Sequence, residues 1–258
     1  MLGALIGVCA LLGLAIGSFL NVVIYRVPRH ESIVSPGSAC PACGTPIAGR
    51  DNVPVLSWLL LRGRCRHCQN PISIRYPLVE VSGAALFAGA AAREGYVWNL
   101  PATLAFLAAL FALACIDFEQ MLLPKRIVYV AVVIEAALLL LAAGRTGEWH
   151  PLVVGALSAL GWFVVFFVIN AVSPRALGFG DVRLALLLGL GLGWFGVRYV
   201  LLGFFAANVV GAGVGIFLMA TKRATRTAQV PYGVFLALGA ALAIYAGPEI
   251  LSPFAHYH

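Results

Sequence analysis

Two aspartates stand where apolar sequence turns polar: Asp117 in Cys115-Ile-Asp-Phe-Glu-Gln-Met-Leu-Leu-Pro124, and Asp181 in Leu177-Gly-Phe-Gly-Asp-Val-Arg183. Only ten residues of the chain are acidic, and an acid set into a membrane-like segment is costly enough that function is its usual reason. Two carboxyls brought within about 3 Å cannot both ionise, so one holds a proton that the other lacks. The ionised group can draw a proton from water while the protonated group donates to the oxygen of a peptide carbonyl. That is amide hydrolysis with neither a metal nor a covalent intermediate, and because such a pair titrates as a unit, neither Asp is assigned as the base. Gly178 and Gly180, on either side of Phe179, suit the same chemistry. They remove side chains where an extended peptide must approach, and they permit unusual backbone angles. Gly178, Phe179 and Gly180 are therefore the candidate substrate-binding segment. A lone aspartate at a helix end is more often a cap or a surface charge, and it is the pairing that lifts these two above that reading.

Four cysteines form a second constellation, Cys40-Pro-Ala-Cys43 and Cys65-Arg-His-Cys68, with 21 residues between the pairs. Each pair offers two thiolates from one tight turn, and two such turns complete the tetrahedron of a closed structural zinc site. Pro41, Gly44 and Gly63 suit the turns. The rival is a pair of disulfides, which needs an oxidising compartment; His67 could replace one thiol, although a surface histidine is the simpler reading. Cys9 and Cys115 fall in apolar runs and read as small packing residues. Glu80 is placed at an interface, Glu135 between helices, and Glu119 in an exposed loop.

These groups need elements to hold them, and composition says which. The chain has 258 residues, 62% hydrophobic and 10% charged, with a mean hydropathy of +0.96; soluble domains run near 25% charged. Lipid must cover much of this surface. Taking about 20 apolar residues per span, the candidates are 2–25, 77–92, 100–116, 127–143, 151–172, 182–196, 199–219 and 231–247. Pro77, Pro101, Pro151 and Pro231 sit at or near their starts, where a missing N–H costs little. The expected fold is an all-α polytopic membrane protein of about eight transmembrane helices. Residues 1–25 are its first helix, retained rather than cleaved as a signal. Residues 26–76 are a small cysteine-bearing cytoplasmic domain, and 77–258 a transmembrane core. No internal repeat is expected. Gly189-Leu-Gly-Leu-Gly193 and Gly211-Ala-Gly-Val-Gly215 read as helix-packing surfaces rather than phosphate loops.

With the N-terminus outside, fourteen of the 17 basic residues fall in inside segments: Arg26, Arg29, Arg50, Arg62, Arg64, Arg66, Arg75, Lys125, Arg126, Arg175, Arg183, Lys222, Arg223 and Arg226. Arg93, Arg145 and Arg198 fall outside. Lys and Arg collect in cytoplasmic loops, so both termini are placed outside, the cysteine loop in the reducing cytoplasm, and both aspartates at one depth on the cytoplasmic side. The same bias accounts for the net charge of +7 without a nucleic-acid partner.

The chain resembles the type IV prepilin leader peptidases, membrane aspartyl proteases with a Gly-x-Gly-Asp motif. The likeness runs nearly end to end: Gly17-Ser-Phe-Leu-Asn-Val-Val-Ile-Tyr-Arg26-Val-Pro28, both Cys-x-x-Cys pairs, Arg75-Tyr-Pro-Leu-Val-Glu80, the Asp117 segment, Gly178-Phe-Gly-Asp181 and Val230-Pro-Tyr-Gly-Val-Phe-Leu236. It implies a bacterial cytoplasmic (inner) membrane location and type IV prepilin or pseudopilin substrates, cut after a glycine on the cytoplasmic side. It also implies that Asp117 and Asp181 are the catalytic pair. Many members also methylate the new N-terminus with S-adenosylmethionine, an activity linked to the cysteine-bearing loop. Arg183 stands where many members carry Lys, and Val234 where many carry Pro. Two other readings compete: a transporter using the acids as relay groups, to which Asn170 and Asn208 lend slight support, and a zinc-stabilised scaffold that only binds partners.

Overall fold

The apolar windows become helices that extend two to four residues past half of the expected ends and match the others to within two residues. The computed structural model describes residues 1–174, 177–221 and 230–254. Arg175, Lys222, Arg223 and Arg226, four of the charges used to assign sides, lie outside the described residues. Among the described residues there is no strand, only two isolated bridges, so the protein is all-α.

The chain divides into two compact units, Met1–Tyr96 and Val97–His258. In the first, α1 (Leu2–Arg26) leads into a loop that holds 3-10 turns at Val27–Arg29 and Gly49–Asp51 and a short α2 (Leu56–Leu60). The unit closes with α3 (Arg75–Glu94). α3 runs antiparallel along α1: Gly13 meets Gly83, Gly17 meets Glu80, Asn21 Nδ2 donates to Tyr76 O at 3.2 Å, and Tyr96 Oη donates to Met1 O at 2.8 Å. The two backbones nearly touch. A Cβ on Gly17 would fall 2.8 Å from Glu80 Cα, and one on Gly83 2.6 Å from Gly13 O. Small residues let helices approach where lipid supplies no hydrophobic drive between them.

The second unit holds α4 (Leu100–Gln120), α5 (Lys125–Thr146), α6 (His150–Val172), α7 (Phe179–Trp194), α8 (Val197–Ala220) and α9 (Tyr232–Leu251). α7 is the hub and touches each of the other five. Eleven of its residues are buried, which explains its uniform hydrophobicity: a helix apolar all round is one enclosed on all sides.

Among the described residues, six helices, α1, α4, α5, α6, α8 and α9, are long and apolar enough to cross a membrane. The other two expected spans form as helices but differ in kind. α3 carries Arg75, Glu80, Arg93 and Glu94, and α7, at 16 residues, reaches only about 24 Å against a hydrocarbon core of about 30 Å.

The glycine runs behave differently from one another. A Cβ on Gly189 would lie 2.5 Å from Ala159 Cα, and one on Gly193 2.7 Å from Gly155 Cα, so this run is the seam between α7 and α6. Gly211 abuts Phe235, but Gly213 and Gly215 meet nothing within 4 Å. The packing-surface expectation fails for that half of the second run. Gly189→Val should therefore destabilise the detergent-solubilised protein by about 1–3 kcal/mol, read from its thermal midpoint. Gly161→Ala, inside α6 with nothing within 4 Å among the described residues, should instead stabilise it by about 0.5–1 kcal/mol.

Candidate active site

Asp117 lies in the last turn of α4 and is 5% exposed. The helix stops four residues later at Met121, which takes a left-handed φ of 51° and returns its N–H to Asp117 O at 2.8 Å. Leu122, Leu123 and Pro124 then turn the chain into α5. Asp181 lies in the first turn of α7 and is 8% exposed; its N–H donates to Gly178 O at 3.0 Å. Asn170 of α6 fixes the approach to that turn, donating from Nδ2 to Leu177 O at 2.7 Å.

The two carboxyls are brought together, each within the other's electrostatic reach. Glycines line the space around them. A Cβ on Gly178 would sit 3.2 Å from Asp181 Oδ2, and one on Gly233 2.9 Å from Asp117 Oδ2. Leu123 fills the middle: its Cβ lies 3.0 Å from where Gly180 would carry a Cβ, and its Cδ2 3.1 Å from the same point on Gly233. The amides of Gly233 and Val234, at the start of α9, act on the Asp117 carboxyl, while its buried Oδ2 has no hydrogen-bond partner among the described residues. An unsatisfied buried oxygen is expensive, and here it is left free to receive a proton or a substrate. Leu123, Gly233 and Tyr232, whose hydroxyl reaches Asn208 Oδ1 at 3.4 Å, belong to this site and were not singled out by residue type.

Phe179 is half exposed. It packs edge-on to Phe167 at 6.5 Å between centroids and carries the Arg183 guanidinium 4.6 Å above its ring. Glu119 is exposed, as expected, but in the last helical turn of α4 rather than a loop. Asn208 Nδ2 returns to Phe204 O within its own helix at 2.7 Å.

The four cysteines of the first unit also converge. The Sγ atoms of Cys40, Cys43, Cys65 and Cys68 all lie within 4.8 Å of one another, and Cys40 Sγ is 3.8 Å from Cys68 Sγ. A tetrahedron with metal–sulfur bonds of about 2.3 Å has edges near ~3.8 Å, so the donors fit a metal ion. None of the cysteines is in a disulfide, and His67 lies outside the cluster, exposed.

The two turns are one structure used twice. Cys40 N–H donates to Thr45 O at 3.0 Å and Cys65 N–H to Asn70 O at 2.9 Å. Gly44 N–H returns to Cys40 O and Gln69 N–H to Cys65 O, with φ of 69° and 58° at those residues. Ile47 N–H closes onto Ser38 O and Ile72 N–H onto Gly63 O, and Ala39–Pro46 and Arg64–Pro71 pair as matching bridges. This corrects the expectation of no internal repeat: Cys-x-x-Cys-x-x-Pro-Ile occurs twice.

The comparisons with known proteins cover both units. Residues 11–93 match the Bacterial Peptidase A24 N-terminal domain and residues 104–217 the Type IV leader peptidase family. A prepilin leader peptidase/N-methyltransferase of Pseudomonas putida is 36% identical, over 95% of this chain and 92% of that protein. The chain belongs to this family. Proteins of the same description from Myxococcus xanthus and Bacillus subtilis are 42% and 32% identical, over 83% and 96% of this chain and 63% and 97% of theirs. No solved structure matches. As a type IV leader peptidase family member with six such helices, the protein is a multi-pass membrane protein.

The sulfurs are not equivalent. Hydrogen bonding from the side chain and backbone of Thr45 lowers the Cys43 thiol from the usual 9.0 to about 6. The Asn70 amide pulls Cys68 the same way, but desolvation and the neighbouring sulfurs win, and it rises to about 11. A thiolate is what a metal or an alkylating reagent meets. In metal-stripped protein at pH 7, iodoacetamide should modify Cys43 well ahead of Cys68, as read by peptide mass spectrometry. Alkylation follows the thiolate fraction, so the Cys43 rate should fall as pH drops below about 6, while its lead over Cys68 should close only as pH rises toward about 11. A divalent metal should protect all four.

Proposed function

We propose that this protein is a membrane aspartic endopeptidase that removes the short basic leader of type IV prepilins or pseudopilins, with Asp117 and Asp181 as its catalytic pair. The observation that carries the reading is the meeting of two buried acids from separate helices in a space bounded by glycines. The relatives' shared description as prepilin leader peptidase/N-methyltransferase supplies the substrate class and a second activity, methylation of the exposed N-terminus. The methyl group would come from S-adenosylmethionine, and no residue of the chain is assigned to holding it.

In the hydrolytic step the ionised carboxylate takes a proton from water, whose oxygen attacks the carbonyl carbon of the last leader residue. The protonated carboxyl donates to the carbonyl oxygen. When the tetrahedral intermediate breaks, the C–N bond cleaves and the new amine takes a proton from the pair. Gly178, Phe179 and Gly180 are placed along the peptide: the glycines leave its backbone room, and the half-exposed ring of Phe179 offers an apolar contact. The donor set and sulfur spacing favour zinc at the four cysteines, as a structural ion, since four thiolates leave no open position. The active site is placed on the cytoplasmic face of the cytoplasmic membrane, with both termini outside.

The transporter reading loses its supports. Asn170 and Asn208 are engaged with backbone carbonyls, and α4 and α7 run unbroken from or to the acids, without the broken helices that transport sites use.

Asp117→Asn and Asp181→Asn should each lower the cleavage rate of a prepilin in proteoliposomes by at least about 10²-fold, while the fold and cysteine-bound metal persist. Full activity in either variant would remove the assignment. Running the assay with and without S-adenosylmethionine reads methylation separately.

A further inference from the structure

The loop between α1 and α3 contains a five-residue helix whose apolar side is left exposed. In α2, Leu56, Leu59 and Leu60 share one face by their i, i+3, i+4 spacing and are 52, 58 and 73% exposed. The opposite side is fully engaged. Ser57 is buried, accepts the Val53 N–H at 2.9 Å and donates to Arg50 O at 3.1 Å. Trp58 Nε1 donates to Ile72 O at 3.1 Å, and its ring lies 2.9 Å from where Gly63 would carry a Cβ. A helix this short has no stability of its own, so these contacts are what hold three leucines outward.

The anchor at its start sets its level. Val55 has φ 61° and ψ −50°, with Leu56 N–H bonded to Pro54 O. This is a γ-turn in a region that a β-branched residue almost never enters, and such strain persists only where the surroundings enforce it. Here the enforcement comes from Glu80 of α3, whose Oε2 accepts the Val55 N–H at 2.7 Å and whose residue is 8% exposed. Glu80 sits opposite Gly17 of α1, nine residues before Arg26 and so about 14 Å along the axis from that end. Helical side chains lean toward their own N-terminus, which brings the Val55 contact back by about one turn, to the level of the first residues of α3. α1 has 25 residues, about 37 Å, and overhangs a hydrocarbon core of about 30 Å by a few ångströms at each end. The start of α2 is therefore within about 5 Å of the boundary between acyl chains and headgroups, on its acyl side. Three arginines adjoin it, none of them buried: Arg62 and Arg64 directly after the helix, and Arg50, whose carbonyl is bonded to Ser57.

We propose that α2 is an interfacial anchor: Leu56, Leu59 and Leu60 lie in the acyl boundary of the bilayer, and Arg50, Arg62 and Arg64 meet the phosphates of anionic lipid. Apolar residues with adjacent arginines are the composition of helices that lie in a membrane surface, and the arginines supply charge complementary to an anionic leaflet. Since α2 also braces the second cysteine turn through Trp58, the anchor fixes the metal-binding loop against the membrane. The proposal concerns lipid contact and does not depend on the chemistry assigned to the acids.

The test uses the full chain in phosphatidylethanolamine vesicles with phosphatidylglycerol and a phospholipid bearing a diazirine near the headgroup end of its acyl chain. After illumination, peptides are mapped by mass spectrometry, and hydroxyl-radical oxidation is mapped in parallel. The expected result is lipid adducts on Leu56, Leu59 and Leu60 together with protection from oxidation. The adduct yield should fall several-fold when phosphatidylglycerol is left out or when Arg62 and Arg64 are both changed to Gln. Leucines oxidised freely and carrying no lipid would overturn the proposal. Protection without adducts would put a protein there and overturn it as well. Adducts whose yield ignores both the anionic lipid and the arginines would overturn the phosphate contact.

Discussion

Two buried carboxyls in one small space repel each other and resist leaving water, so everything around them must hold them there without crowding them. The protein meets this with backbone rather than side chains. Asp117 comes from the end of α4 and Asp181 from the start of α7, and the surfaces nearest their oxygens are Gly178 and Gly233, with Leu123 as the bulky filler. A methyl group at either glycine would occupy the room a proton, a water or a peptide carbonyl needs. The same absence of side chains leaves Asp117 Oδ2 without a hydrogen-bond donor among the described residues, a costly state for a buried carboxylate oxygen.

Helix α7 makes that arrangement rigid. It is shorter than the other helices of its unit, and its glycines let α6 close against it until Gly193 and Gly155 nearly touch. A hub enclosed by five neighbours cannot tilt or slide without disturbing all of them, so the turn carrying Asp181 is fixed from behind while its front stays open to the acids. In the first unit, α1 and α3 solve their packing with glycines too, and the loop between them carries four cysteines, positioned to bind a metal ion, on two copies of one turn.

Much of this was legible from residue types. The acids, the four cysteines and the eight helices stand out because charge in an apolar chain and Cys-x-x-Cys spacing carry local signals. What stayed hidden depended on contacts between distant residues. Glu80 could be placed at an interface, but nothing local reveals that its carboxylate holds Val55, 25 residues away, in a strained turn. That α7 is enclosed by its neighbours was hidden too, because a helix wrapped in protein and one wrapped in lipid have the same composition. Gly211, Gly213 and Gly215 repeat the spacing of Gly189, Gly191 and Gly193, yet among the described residues Gly213 and Gly215 meet no partner. The repeated turn was open to view in Pro46-Ile47 and Pro71-Ile72, but the cysteines alone drew attention, and the recurrence beyond them is only two residues long.

The claim that Asp117 and Asp181 work as one unit is tested most directly by a double-mutant cycle. Single-turnover cleavage of one prepilin would be measured for the wild type, Asp117→Asn, Asp181→Asn and the double variant. Groups that share a proton in one transition state are strongly non-additive, so the double variant should be no slower than the slower single variant. A double variant whose loss is the product of the two single losses would show the acids acting independently and contradict the account.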